Sequence, residues 1–176
     1  LKFLDKKIWN VVKIALPSIM AIEIERKFLV EEDAWREGAT PSRIVQGFLS
    51  RDPERIVRVR LRDDEAFLTV KGKGSGLVRV EVEVAIPAEE ARQLLPLCLP
   101  PLIEKTRHLV TWAGHLWEID EFHGANAGLV VAEVELVAED ESFERPSWLG
   151  LEVSDDFRYS NAALSERPWR DWKDDA

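Results

Sequence analysis

The chain has 176 residues, 45% of them hydrophobic, and a formal net charge of −9. That length suits one domain with a real core. The negative charge argues against general nucleic-acid binding, which needs a basic footprint, but allows a small anion in a locally basic cleft.

Residues 1–19, "LKFLDKKIWNVVKIALPSI", are basic and partly apolar. Lys13 interrupts the apolar run, so the segment is too short and too broken to span a membrane, and no cleavage pattern follows it. The only methionine, Met20, directly precedes the first strong strand. The expectation is an extraneous extension over 1–19 and a single domain over 20–176.

Eight strands are predicted from there, at 21–30, 44–51, 55–63, 66–72, 77–85, 104–112, 115–122 and 129–137. Turn-forming stretches separate them, among them "RDPE", "RDDE", "GKGSG" and "HGANAG". Short turns between successive strands imply antiparallel pairing. Short helices are expected at "EEDAWRE", at "PAEEARQLLPL" with proline in its first turn, and at "EDESFERPSWL" over 139–149. A last one is expected at "SNAALSERP", capped by Ser160. Many strands and few helices in one chain give a mainly β, α+β class: an eight-stranded antiparallel closed barrel with peripheral helices. Cys98 is the only cysteine, which excludes a disulfide framework and fits a reducing, cytoplasmic location. Within "LLPLCLPPL" it is expected to be packed.

Side chains alternate faces along a strand. In "AIEIERKFLV" Glu23, Glu25 and Lys27 share a face opposite Ile22, Ile24, Arg26 and Phe28. "RIVRVRLR" groups Arg58, Arg60 and Arg62, and "FLTVKGK" groups Thr69, Lys71 and Lys73. "LVRVEVEVAI" groups Glu81 with Glu83, "IEKTRHLV" groups Lys105 with Arg107, "HLWEIDEF" groups Glu118 with Asp120, and "LVVAEVELV" groups Glu133 with Glu135. Two arrangements satisfy this pattern: charged faces in water over an aliphatic core, or charged faces lining the barrel with aliphatic faces outside. Like charges two apart repel and need compensation. A polyanion suits the basic pairs, and a hard divalent cation such as Mg²⁺ or Mn²⁺ suits the carboxylates. His108, His115 and His123 lack metal-ligand spacing and are expected to be structural.

"EIERKF", followed by "QGFLS", "VRVRLR", "LTVKGKG", "RVEVEV", "IEKTRH", "WEIDEF", "AEVEL" and "RYSNAALS", resembles the CYTH superfamily of triphosphate tunnel metalloenzymes, from about Met20 to the C-terminal helix. The resemblance implies an eight-stranded tunnel that binds a triphosphate with Mg²⁺ or Mn²⁺. It implies metal binding by Glu23, Glu25, Glu118, Glu133 and Glu135, and phosphate binding by Arg58, Arg60, Lys71, Lys73, Lys105 and Arg107. Lys27, Glu81, Glu83 and Asp120 would then act near the reacting phosphate. Phe48 stands where many relatives carry tyrosine. The implied activity is hydrolysis of inorganic tripolyphosphate. A class IV adenylate cyclase, a thiamine or nucleoside triphosphatase and a non-catalytic polyphosphate-binding module are the alternatives. The expected partner is a small triphosphate anion, with no membrane and no general nucleic-acid binding, and a homodimer is compatible with this.

Overall fold

The computed structural model describes residues 24–75, 78–138 and 140–175. The 1–19 extension, the start at Met20 and Glu23 lie outside the described residues.

The strands are β1 (Ile24–Val30), β2 (Thr40–Ser50), β3 (Arg55–Arg62), β4 (Glu65–Ser75), β5 (Val78–Ile86), β6 (Leu99–Trp112), β7 (His115–Phe122), β8 (Val130–Leu136) and β9 (Leu149–Glu152). They form one antiparallel sheet in the order β5-β4-β3-β2-β6-β7-β8-β1-β9. All eight expected strands are present, and β2 and β6 begin several residues earlier than their sequence patterns suggested.

Two differences from the expected barrel arise at one place. The 139–149 segment contains no helix among its described residues. Instead Leu149–Glu152 forms β9, pairing Phe28 with Glu152 and Val30 with Leu149. Pro146 disfavours a helix interior, and a free β1 edge offers backbone groups that need partners. With β9 on that edge, the hydrogen-bonded ladder of the described residues runs from β5 to β9 and does not close on itself.

Short helices flank the sheet. The α1 helix (Ala88–Leu94) has Glu89 and Glu90 in its first turn, where the helix dipole favours acids. Ser160 Oγ accepts from Ala163 N at 3.2 Å and caps α2 (Asn161–Glu166).

The aliphatic faces point outward. Phe28, Ile119, Ala132, Val134 and Leu136 pack with Trp35, Trp117 and Trp148. The Trp117 ring meets Trp148 at 5.4 Å and Phe143 at 5.6 Å, both edge-on, each worth about 0.5–1.5 kcal/mol beyond burial. Val59, Ala66 and the partly buried Leu61 and Leu68 lie against Ala91 and Leu95. Helical cover ends before the β5 edge, where Val82 and Val84 stay exposed.

Arg26 also faces outward, and β9 supplies its partner. Its Nε donates to Glu152 Oε1 at 2.7 Å and its Nη2 to Glu152 Oε2, while the guanidinium lies 5.1 Å from the Phe143 ring centre. Gly47 sits on the outer face of β2, where a Cβ would lie 2.6 Å from both Cys98 Cβ and Leu102 Cδ2. Cys98 is buried, as expected, and its thiol donates to the Leu94 carbonyl. Gly47→Ala is expected to lower stability by about 1–3 kcal/mol through overpacking, measured by urea denaturation. An unchanged midpoint would show that β2 can back away from Cys98.

Candidate active site

The opposite face of the sheet carries the charges, and strand register decides which of them meet. Lys27 lies across from Glu133, Glu25 from Glu135, Glu133 from Glu118, and Arg107 from Asp120. Four adjacent strands, β1, β8, β7 and β6, thus bring the Glu25, Lys27, Lys105, Arg107, Glu118, Asp120, Glu133 and Glu135 side chains to one surface.

Its centre is buried. Lys105 and Asp120 are 2% and 1% exposed. Asp120 is bound by two cations: Lys105 Nζ donates to Oδ2, and Arg107 Nε donates to Oδ1 at 2.7 Å. Arg107 also donates to Glu133 at 3.0 Å and to Glu118. Burial alone would raise the Asp120 carboxyl, but Lys105 and Arg107 outweigh it and hold its pKa down at about 2. Burial pulls the Lys105 ammonium below its usual value, because Lys105 shares its anion with Arg107. The second contact of Lys105 is Asn161 Oδ1, 3.2 Å away at the start of α2.

Nearer solvent, Lys27 Nζ bridges Glu133 Oε1 at 2.6 Å and Glu25 Oε1 at 3.0 Å. Burial, and then the neighbouring Glu133, raise the Glu25 carboxyl above its usual value despite Lys27. Two carboxylates compete for one ammonium here. The Glu25–Glu135 and Glu133–Glu118 pairs place four carboxylates on neighbouring positions, a hard oxygen donor set of the kind divalent cations prefer. In donor type, though not in spacing, the residues present suit such a cation. Among the described residues, no three or more acidic, histidine or cysteine side chains are drawn together at ligand geometry.

Across β2 stands a second charged wall. Arg58 Nη2 donates to Glu83 Oε2 at 3.1 Å and to Thr69 Oγ1 at 3.1 Å, and Arg60 Nη2 reaches the same carboxylate at 3.2 Å. Lys71 pairs with Glu81 at 2.9 Å. The hydroxyl of Thr69 donates to Glu83 at 2.7 Å, and with the two arginines it holds Glu83 below the usual range against burial. Burial and the charge of Arg58 push Arg60 down to about 10. Among the described residues Glu83 serves both Arg58 and Arg60, and Arg58 Nε and Arg60 Nε are buried without an acceptor.

Several predicted residues sit elsewhere. Lys73 is 70% exposed and pairs with Glu54, within the register shift between Lys71 and Gly74 of β4. Glu135 shares the charged face but is exposed. Arg158, which is not among the predicted residues, is bound to Asp156 and lies over the Trp172 ring, a surface ion pair. His115 and His123 bond to Glu141 and Thr106, and His108 packs against Trp35, in keeping with structural roles. Sequence reasoning did not single out Gln46 or Asn161. Gln46 had a signal, since its parity puts it on the charged face beside Arg60. Nothing local marked Asn161, because its contact spans 56 positions.

Beyond Lys105 and Asp120 the face is capped. Leu29, Ile103, Phe122 and Val131 share the parity of the charged residues and pack against Val153, Tyr159, Leu164 and Trp172. Trp172, set among acidic residues near the C-terminus, is 3% exposed, with its ring 5.1 Å from Tyr159. Exposure rises away from the cap, from 1% at Asp120 to 39% at Glu118.

This strand order with cations and carboxylates gathered on one face defines an antiparallel β protein with a charged face, and comparison with known proteins gives its family. The CYTH domain family profile matches residues 21–167, and the chain belongs to that family. An inorganic triphosphatase of Acetivibrio thermocellus is 44% identical over 156 residues, 88% of this chain and all of the relative. An inorganic triphosphatase of Nitrosomonas europaea is 39% identical over 150 residues, 81% of this chain and 96% of the relative. The crystal structure of an inorganic triphosphatase superposes with a TM-score of 0.65 at 35% identity, covering 83% of this chain and 95% of its own.

Proposed function

We propose that this chain hydrolyses inorganic tripolyphosphate to pyrophosphate and phosphate with the help of a divalent metal. The observation that carries the reading is the arginine pair that shares Glu83, with Arg58 Nε and Arg60 Nε buried and without an acceptor, on the same face of the sheet as the Glu25 and Glu133 carboxylates. The names of the curated relatives support it.

Phosphoryl transfer asks a protein mainly for positioning and charge neutralisation. Arg58, Arg60 and Lys71 would hold phosphoryl oxygens from one wall, and Lys105 and Arg107 from the other. Asp120 and Glu83, whose oxygens are already occupied by cations, would fix those cations in place rather than accept a proton. Glu81 is assigned to this same wall through Lys71. Lys27, between two carboxylates, would lend its charge to the reacting phosphoryl group. Mg²⁺ or Mn²⁺, held by Glu25, Glu118, Glu133 and Glu135 together with Glu23, would supply Lewis-acid charge neutralisation.

The test is phosphate release from inorganic tripolyphosphate, ATP, thiamine triphosphate and pyrophosphate with Mg²⁺ or Mn²⁺. Fastest release from tripolyphosphate is expected. Cyclic AMP accumulating from ATP would overturn the reading in favour of a cyclase, and binding without turnover in favour of a polyphosphate-binding module. Arg60→Ala is expected to raise KM for tripolyphosphate about tenfold through loss of a charge-assisted contact, and steady-state kinetics check it. An unchanged KM would remove Arg60 from the substrate wall.

Among the described residues no helix is long and apolar enough to cross a membrane. A cytoplasmic location is part of the proposal, supported by the single buried cysteine.

A further inference from the structure

The β2 strand separates the two cationic walls and carries no charge on their side, where its residues are Ser42, Ile44, Gln46 and Phe48. Gln46 is 2% exposed, and its Nε2 has no hydrogen-bond partner. Its neighbours across the ladder are Arg60 on β3 and Ile103 on β6. Buried amides are normally satisfied, so an isolated one calls for an explanation.

Among the described residues the neighbourhood supplies none. Arg58 Nε and Arg60 Nε, on the adjacent strand, are buried donors without acceptors as well. The Glu83 carboxylate already takes the Nη2 groups of both arginines and the Thr69 hydroxyl. Ile103 and Phe48 beside Gln46 have no side-chain acceptor to give. Nor can residue 46 roll to the other face. The Gly47 backbone is pressed so closely onto Cys98 and Leu102 that even a Cβ would collide there, which fixes the direction of both neighbours along the strand.

We propose that Gln46 is a substrate-binding residue, its Nε2 donating to a phosphoryl oxygen that also accepts from the Nε groups of Arg58 and Arg60. This rests on the triphosphatase reading and assigns that site a contact the charge pattern does not show. Three buried N–H donors with no acceptor match a group that is rich in lone pairs and negative, and a phosphoryl oxygen is both. A neutral donor is also the suitable type at this position. Arg60 is already destabilised by burial and by Arg58, so another cation between β3 and β6 would add repulsion, whereas an amide adds a hydrogen bond and no charge.

The experiment compares wild type with Gln46→Met, which keeps the length and removes the donor, and Gln46→Glu, which replaces the donor with an anion. Steady-state rates with tripolyphosphate are read beside thermal melts with and without tripolyphosphate in the absence of divalent metal. Q46M is expected to raise KM about tenfold and to shrink the tripolyphosphate-induced rise in Tm. Its ligand-free Tm stays level or increases, because an unsatisfied buried amide has gone. Q46E is expected to raise KM further. Wild-type KM and Tm rise retained in both variants would overturn the assignment, as would a Q46M whose ligand-free Tm falls while KM stays unchanged, the mark of a purely structural glutamine. A wild type that neither binds nor hydrolyses tripolyphosphate overturns the triphosphatase reading and this contact with it. A wild type that does both, with variants that match it, overturns only the Gln46 assignment.

Discussion

Replacing Asp120 with asparagine is expected to destabilise the protein by about 3–5 kcal/mol, the usual cost of removing one partner from a buried ion pair. The large value follows from what is left behind. Lys105 is 2% exposed, and its other hydrogen-bond partner is the neutral Asn161 side chain. Arg107 would keep Glu133 and Glu118 but lose its two-pronged contact with Asp120. Chemical denaturation checks the number, and a loss below about 1 kcal/mol would mean that water reaches Lys105. The same carboxylate sets an acid limit. Its pKa is depressed from 3.8 to about 2 in the folded state, so its contribution of about 2 kcal/mol is fully present above the unfolded value. That contribution is lost as pH falls from about 4 through about 2. A D120N variant should lack this segment of the acid denaturation curve.

Glu25→Gln is expected to cut metal-dependent turnover about 100-fold or more, since even indirect supports of a metal site are worth 10–100-fold. The fold should survive, because Glu25 is about half exposed and Lys27 keeps its 2.6 Å contact with Glu133. Removing one of two competing carboxylates also relieves the repulsion that raises Glu25. Initial rates against metal concentration, with circular dichroism as the control for folding, make the measurement. Turnover within about threefold of wild type would take Glu25 out of the metal set, since even an indirect support costs more than that.

The arrangement was legible in the sequence wherever it depended on alternation. Arg58/Arg60, Lys105/Arg107 and Glu118/Asp120 each share a face because side chains two apart in a strand must, and the turns between consecutive strands pointed to antiparallel pairing. Contacts made by chain segments far apart were hidden. The partner of Arg26 could not be named because Glu152 lies 126 positions away, just beyond a stretch whose composition suggested a helix and whose tertiary role is to cover the β1 edge. The burial of Trp172 was hidden for a similar reason. Its acidic neighbours suggested a solvated tail, but the ring's value lies in packing against Tyr159 and Trp169. Lys73 shows the limit of parity itself, since the register shift in β4 takes it out of the row that Lys71 belongs to.

The aromatic and aliphatic plug behind Lys105 and Asp120 closes that end of the charged face. If a triphosphate lies along the face as proposed and leaves by the opposite end, arrival and departure share the side marked by Glu25 and Glu118. Pyrophosphate must back out before the next substrate can enter, so it should behave as a competitive inhibitor. A longer polyphosphate could be threaded only by a terminus, with its remainder trailing into solvent, and its shortening would proceed from chain ends and never from the middle.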